Sequence, residues 1–128
     1  MLLDINDLLG KPYKAHGRGP DSFDCYGLVI EVEKRLGHIM PDIYTRLSNC
    51  DKWEEDPHNI DFSKEMIGME KTDKPSFGDV VVFFDNKGRI NHTGVYLKND
   101  DFIHCNNCGV HITKLYLDAR KKEVFKWK

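Results

Sequence analysis

Apolar residues recur at helical spacing between Asp24 and Gly37. Leu28, Val29, Val32 and Leu36 form one stripe, while Glu31, Lys34 and Arg35 face away from it. The pattern predicts a helix over Cys25–Leu36, capped by Asp24 and stopped by Gly37. A shorter stripe of Leu2, Ile5, Leu8 and Leu9, ending at Gly10, predicts a helix over Leu2–Leu9. Lys11 to Asp21 is rich in Gly and Pro and reads as a loop. Residues 38–77 carry no clean period, and the acidic stretch Asp51–Asp61, broken by Pro57, reads as loops and short helices at the domain edge. Beyond it the pattern becomes that of strands, predicted over Asp79–Phe84, Thr93–Leu97, Phe102–Cys105, Val110–Leu115 and Val124–Trp127. Asp85–Gly88, Asn99–Asp101 and Asn106–Gly109 supply turns between them. Helices followed by antiparallel strands predict an α+β domain, with N-terminal helices packed on a sheet of about five strands.

Composition narrows the classes. The 128 residues suit one domain spanning 1–128, large enough for a core without metal or disulfide staples. With 40% hydrophobic and 31% charged residues, the chain is not disordered throughout. A net charge of -2 argues against a nucleic-acid partner. The basic residues Arg120, Lys121, Lys122, Lys126 and Lys128 alternate with acidic ones and read as a solvated face. No apolar run approaches the roughly 20 residues of a membrane span, so no membrane partner is expected. Met1–Gly10 carries Asp4 and Asp7 and lacks a basic leader region. The chain is therefore expected to be made, and at first kept, in the cytoplasm, with its four cysteines as thiols.

Cys25 stands where the central helix opens. Free N–H groups and the helix dipole favour a thiolate there, and a neighbouring imidazole would favour it further. The backbone N–H of the same residue can donate to a developing oxyanion. The competing reading is a buried, inert cysteine. His92 begins a strand after a polar turn, and His104 lies on the next strand. If the two share a face, His104 can accept the second N–H of His92 and orient it. A two-residue turn at Asn99–Asp100 would pair Val95 with His104 and place the histidines on opposite faces. The geometry therefore requires a connection of Lys98–Asp100, with Asn99 or Asp100 at positive φ and Gly94 opposite His104. A side chain at Gly94 would crowd the imidazoles, so Gly94→Val is expected to harm activity far more than stability. Cys105 and Cys108 have redox or metal spacing and are flanked by His104 and His111. Strand alternation turns His104 and Cys105 to opposite faces, and the pair falls in a hairpin turn, so no chemical role, metal or cofactor is assigned to it. Trp53 reads as a packed surface anchor rather than part of a lid.

Five segments in order resemble the motifs of the NlpC family of papain-like cell-wall cysteine peptidases. They are Gly10–Tyr13, Phe23–Val29 (Phe-Asp-Cys-Tyr-Gly-Leu-Val), Gly78–Phe84, Ile90–Leu97 (Ile-Asn-His-Thr-Gly-Val-Tyr-Leu) and Phe102–His104. The resemblance implies a papain-like fold and hydrolysis of peptidoglycan stem peptides at γ-D-glutamyl-diaminopimelate bonds, without a cofactor. It assigns Cys25 as nucleophile, His92 as base and His104 as the orienting residue. Tyr13 falls on the oxyanion side, and Asp24 matches an acid read first as a cap and second as a substrate contact. Tyr26 stands where the family commonly has serine, which would alter the wall beside the thiol. Asp24-Cys-Tyr-Gly27 and Met40-Pro-Asp42 are similar to phage and prophage tail-associated members. Two alternatives follow: a tail component with little turnover among phage tail proteins, or an amidase or acyltransferase acting on another amide.

Overall fold

Helix α1 (Cys25–Arg35) starts because Asp24 is extended and its carboxylate accepts the Gly27 N–H at 2.6 Å. It ends at Gly37, whose φ of 90° suits glycine, with the His38 N–H returning to the Glu33 carbonyl at 2.9 Å. The computed structural model describes residues 4–42, 62, 66 and 68–128. Within them α1 precedes six strands: β1 (Met69–Thr72), β2 (Val80–Phe84), β3 (Ile90–Tyr96), β4 (Asp101–Asn106), β5 (Gly109–Lys114) and β6 (Lys121–Trp127). All paired strands are antiparallel, in one sheet of order β1-β6-β2-β3-β4-β5. The α+β architecture is the expected one. No helix among the described residues is long and apolar enough to cross a membrane.

The apolar stripe of α1 packs on β3 and β4. Leu28, Val29 and Val32 are buried with Val80, Val82, Val95 and Ile103. Burial of each such side chain contributes about 1.5–3 kcal/mol. The other face of the sheet carries a second cluster of Val81, Phe83, Phe102, Leu115 and Val124. Strand β2 is apolar throughout because both of its faces are covered. The far end of α1 is tied to β6, where the Trp127 indole N–H donates to Glu33 Oε1 at 2.8 Å. His38 Nδ1 lies 3.2 Å from the same oxygen, and its ring stacks on Trp127. Glu33 is fully buried and its second oxygen has no partner. Burial raises its carboxyl pKa, against the lowering effect of Trp127 and His38.

One expectation needs correction. The described part of Leu2–Leu9 is a series of turns, not a helix. The Asp4 carboxylate accepts the Asn6 N–H at 3.0 Å, a local bond that competes with helical pairing in a segment too short to nucleate alone. The sheet, expected at about five strands, has six. The extra strand, β1, is a four-residue edge strand with one buried residue, and its partner is the distant β6. Strand β3 also begins earlier than predicted and takes in Ile90–His92. Cys50, Trp53 and the Asp51–Asp61 segment lie outside the described residues.

A carboxyl whose folded pKa is raised contributes stability that is lost as pH rises through that pKa. Thermal unfolding should therefore show wild type losing stability relative to Glu33→Gln as pH rises above the ordinary carboxylate range, because the variant keeps the acceptor for Trp127 without the buried charge. A Gln variant that falls in parallel with wild type would contradict this assignment.

Candidate active site

The loop ahead of α1 is folded against the strand-like segment that leads into it. Tyr13 forms a parallel bridge with Phe23, and the Lys14 N–H donates to the Phe23 carbonyl at 3.0 Å. Tyr13 is thereby fixed beside the segment entering Cys25, half-buried against the core. Cys25 is the first residue of α1 and is 9% exposed. Asp24 is almost fully buried. Oδ1 caps the helix, and Oδ2 takes an ion pair from Arg18 Nη1 at 2.8 Å. Arg18 also holds Asp42 through Nε at 2.7 Å and Nη2 at 3.0 Å. Both Asp24 oxygens are committed to the fold, which favours the cap reading over a substrate contact. Tyr26 is fully buried and its hydroxyl donates to the Pro41 carbonyl at 2.6 Å. It therefore anchors the segment after α1.

The β3–β4 connection has the required register. Gly94 pairs with His104, Val95 with Ile103 and Tyr96 with Phe102. The Leu97 N–H donates to the Asp101 carbonyl at 2.8 Å, enclosing Lys98–Asp100, and Asn99 and Asp100 have φ of 52° and 66°. His92 and His104 then share a face, with His92 Nε2 2.8 Å from His104 Nδ1. This leaves Nδ1 of His92 as the nitrogen able to act on a thiol. The row continues from His104 Nε2 to the Thr113 hydroxyl at 2.9 Å. His104 lies between the Phe102 ring, at 4.2 Å between centroids, and the His111 ring, at 4.3 Å.

The imidazoles project from the sheet face that carries Phe83 and Phe102. The apolar stripe of α1 is buried on the other face. Cys25 belongs to the helix-side cluster, at the helix end nearest the loop that precedes it. The described contacts thus join His92, His104 and Thr113, and the pairing of Cys25 with His92 is part of the functional proposal below.

Burial lowers the pKa of His92 to about 3, aided by the nearby His104 and Arg120. His104 is lowered to about 4, by burial first and then by His111 and Arg120, while Asp118 acts in the opposite sense. Both rings are therefore neutral at physiological pH in the resting protein. Arg120 stacks over the Phe83 ring at 4.5 Å and forms two hydrogen bonds with Asp118, at 3.0 and 2.7 Å. It holds the Asp118 carboxyl down at about 2. A cleft of about 410 Å³ opens beside the start of β3, with Asn91, Arg120, Lys121 and Phe84 among its lining residues.

The Cys105 thiol points to the helix side and lies 3.3 Å from the Phe23 carbonyl. Burial and the Asp24 charge raise its pKa to about 11. Cys108 is exposed in the β4–β5 turn. Cys105 thus lies on the face opposite His104, as strand alternation predicts, and Cys108 lies in the hairpin turn.

Thr113, Arg18 and Asp42 were not identified from sequence. Thr113 was within reach of it. The Asn106–Gly109 turn fixes His104 opposite His111 and Phe102 opposite Thr113, which puts Thr113 on the histidine face. The Arg18–Asp42 contact joins two loops and left no periodic signal.

Two outcomes follow. A Cβ at Gly94 would lie 2.9 Å from both the Ile103 carbonyl oxygen and the Phe102 ring, and 3.1 Å from His104 Cβ. The first added carbon is already too close to backbone, so Gly94→Ala itself should lower the melting temperature by several degrees. The expected sparing of stability at this position is therefore revised; an unchanged melting temperature would contradict the contact. The second concerns acid. A histidine whose folded pKa is depressed binds its proton mainly in the unfolded chain, so stability falls as pH drops below about 6.5 toward the folded values. Replacing His104 by Asn should make the loss of melting temperature between pH 6.5 and 4.5 shallower than in wild type. Equal slopes would show that the ring does not bear this cost.

The sequence profile of the NlpC/P60 family matches residues 10–128. The chain is 30% identical over 115 residues to the "Probable peptidoglycan endopeptidase LytE" of Bacillus subtilis, covering 90% of this chain and 29% of that protein. It is 31% identical over 116 residues to the "Probable endopeptidase p60" of Listeria innocua, covering 91% of this chain and 21% of that protein. The chain thus spans less than a third of the length of these relatives. Among solved structures, NlpC2 from Trichomonas vaginalis superposes with a TM-score of 0.66 at 22% identity, over 96% of this chain and 44% of that one. The NlpC/p60 domain of the peptidoglycan hydrolase SagA gives 0.54 at 21% identity, over 90% and 86%. These two likenesses are likenesses of fold. With its motifs in order and the profile matching nearly its whole length, the chain belongs to the NlpC/P60 family.

Proposed function

We propose that this domain is a cysteine hydrolase that cleaves amide bonds in peptidoglycan stem peptides, with the γ-D-glutamyl-diaminopimelate bond as its target. The observation that carries the reading is the His92 Nε2–His104 Nδ1 contact of 2.8 Å, which orients one imidazole by another and reserves Nδ1 for a thiol. It stands in a chain whose family membership is established and whose relatives include a peptidoglycan endopeptidase by name.

His92 takes the Cys25 proton, and the thiolate attacks the amide carbonyl. The resulting oxyanion is held by the Cys25 backbone N–H, with the Tyr13 hydroxyl on the same side. Collapse of the intermediate expels the amine, which takes its proton from His92. Water, deprotonated by His92, then hydrolyses the thioester and frees the Cys25 thiol. All of these steps use the chain's own residues.

A phage tail component with little turnover is the alternative that the Tyr26 substitution suggests; a buried Tyr26 bonded to the Pro41 carbonyl is compatible with turnover. A wall substrate places the working protein at the cell wall or on a particle delivered to it.

Incubation with defined stem peptides, followed by mass spectrometry, tests the proposal. Wild type should release products cut at the γ-D-glutamyl bond. Cys25→Ala and His92→Ala should each lower the rate by at least about 1,000-fold while leaving the melting temperature within a few degrees. Hydrolysis that survives Cys25→Ala would remove the thiol from the mechanism. Cleavage of another amide alone would move the chain to the amidase reading.

A further inference from the structure

The end of the histidine row has chemistry that a Cys-His-His description leaves out. The Phe102 ring stacks on His104 at 4.2 Å and the tilted His111 ring lies 4.3 Å away. Both nitrogens of His104 have partners: His92 Nε2 at 2.8 Å and Thr113 Oγ1 at 2.9 Å. His111 is not a competing partner in this row. Its Nδ1 lies 2.9 Å from the Gly109 carbonyl, an acceptor only, so His111 carries its proton on Nδ1 and donates it there.

A neutral imidazole has one N–H and one lone pair, so the direction of one hydrogen bond in the row dictates the direction of the next. If Thr113 accepts from His104 Nε2–H, then His104 Nδ1 accepts from His92 Nε2–H. His92 Nδ1 is then a free lone pair, the form a base requires. If Thr113 donates instead, every bond reverses and His92 carries its proton on Nδ1, where it cannot take one from a thiol. Thr113 is half-buried on an edge strand, so its own O–H can turn to water while it accepts from His104.

We propose that Thr113 is a positioning residue that sets the protonation pattern of the His92–His104 pair, so that His92 Nδ1 carries the lone pair. This rests on the cysteine-hydrolase reading, but part of its test does not depend on turnover. Histidine ¹⁵N NMR at pH 7 reads which ring nitrogen bears the proton. Wild type and Thr113→Ser should both show His92 and His104 as Nε2–H. Thr113→Val, nearly the same shape, should show a mixture at His104 and His92. Its kcat on a stem peptide should be about tenfold lower, with KM within twofold, and Ser should restore the rate. A wild-type spectrum with His104 as Nδ1–H would overturn the proposal, as would a Val variant that keeps the wild-type pattern. Hydrolysis abolished by Cys25→Ala but untouched by Thr113→Val would overturn it while leaving the hydrolase reading in place. Wild type without hydrolysis on any stem peptide would sink the hydrolase reading, and the spectra would still decide what Thr113 does.

Discussion

The hydrogen bond from the Leu97 N–H to the Asp101 carbonyl closes the connection Lys98–Asp100, and that closure decides which way every side chain of β4 points relative to β3. With one residue fewer, His104 would turn to the helix side and Cys105 to the histidine side. The cost of the longer connection is two non-glycine residues at positive φ, Asn99 and Asp100. Asn and Asp tolerate that region better than most residues, and the Asp100 N–H is held by the Tyr96 hydroxyl at 3.0 Å. The site therefore depends on a tight connection at the far end of the strands that carry it.

The same register explains the burial of so much polar chemistry. His92 and His104 lie between Phe83, Phe102 and His111, where water is scarce and a charged ring is disfavoured. Among the described residues His92 Nε2 and both nitrogens of His104 have hydrogen-bond partners, so the burial is tolerated. His92 Nδ1 is the nitrogen at which the proposed base would act. On the helix side, Asp24, Arg18 and Asp42 do comparable work by fixing the first turn of α1 and the segments on either side of it. The proposed mechanism joins these halves at the helix N-terminus, where Cys25 stands.

Much of this was legible in the residues. The α1 stripe, its Asp24 cap and its Gly37 stop are local signals, and each is set by chemistry within a few residues. The β3–β4 register followed from one geometric demand, that two histidines share a face. Other features depend on contacts that no local pattern records. Strand β1 exists because β6 offers it an edge, and its own sequence is mostly polar. The Leu2–Leu9 stripe has helical spacing, yet the Asp4 carboxylate accepts the Asn6 N–H instead. The burial of Tyr26, one step along the helix from Cys25, is set by the core around it and not by its place in the sequence. Arg18 reaches across 24 residues to Asp42, and nothing in the intervening sequence marks that pair.

The central claim is that Cys25, at the N-terminus of α1, and His92, on β3, act as a coupled pair. The most direct test is the second-order rate constant for alkylation of Cys25 at pH 6, followed by mass spectrometry in wild type and in His92→Ala. The account predicts that Cys25 reacts faster than the exposed Cys108 in wild type, and that losing His92 slows it by at least about tenfold while Cys108 is unaffected. A Cys25 rate that stays within twofold of wild type without His92 would show that the imidazole does not activate the thiol.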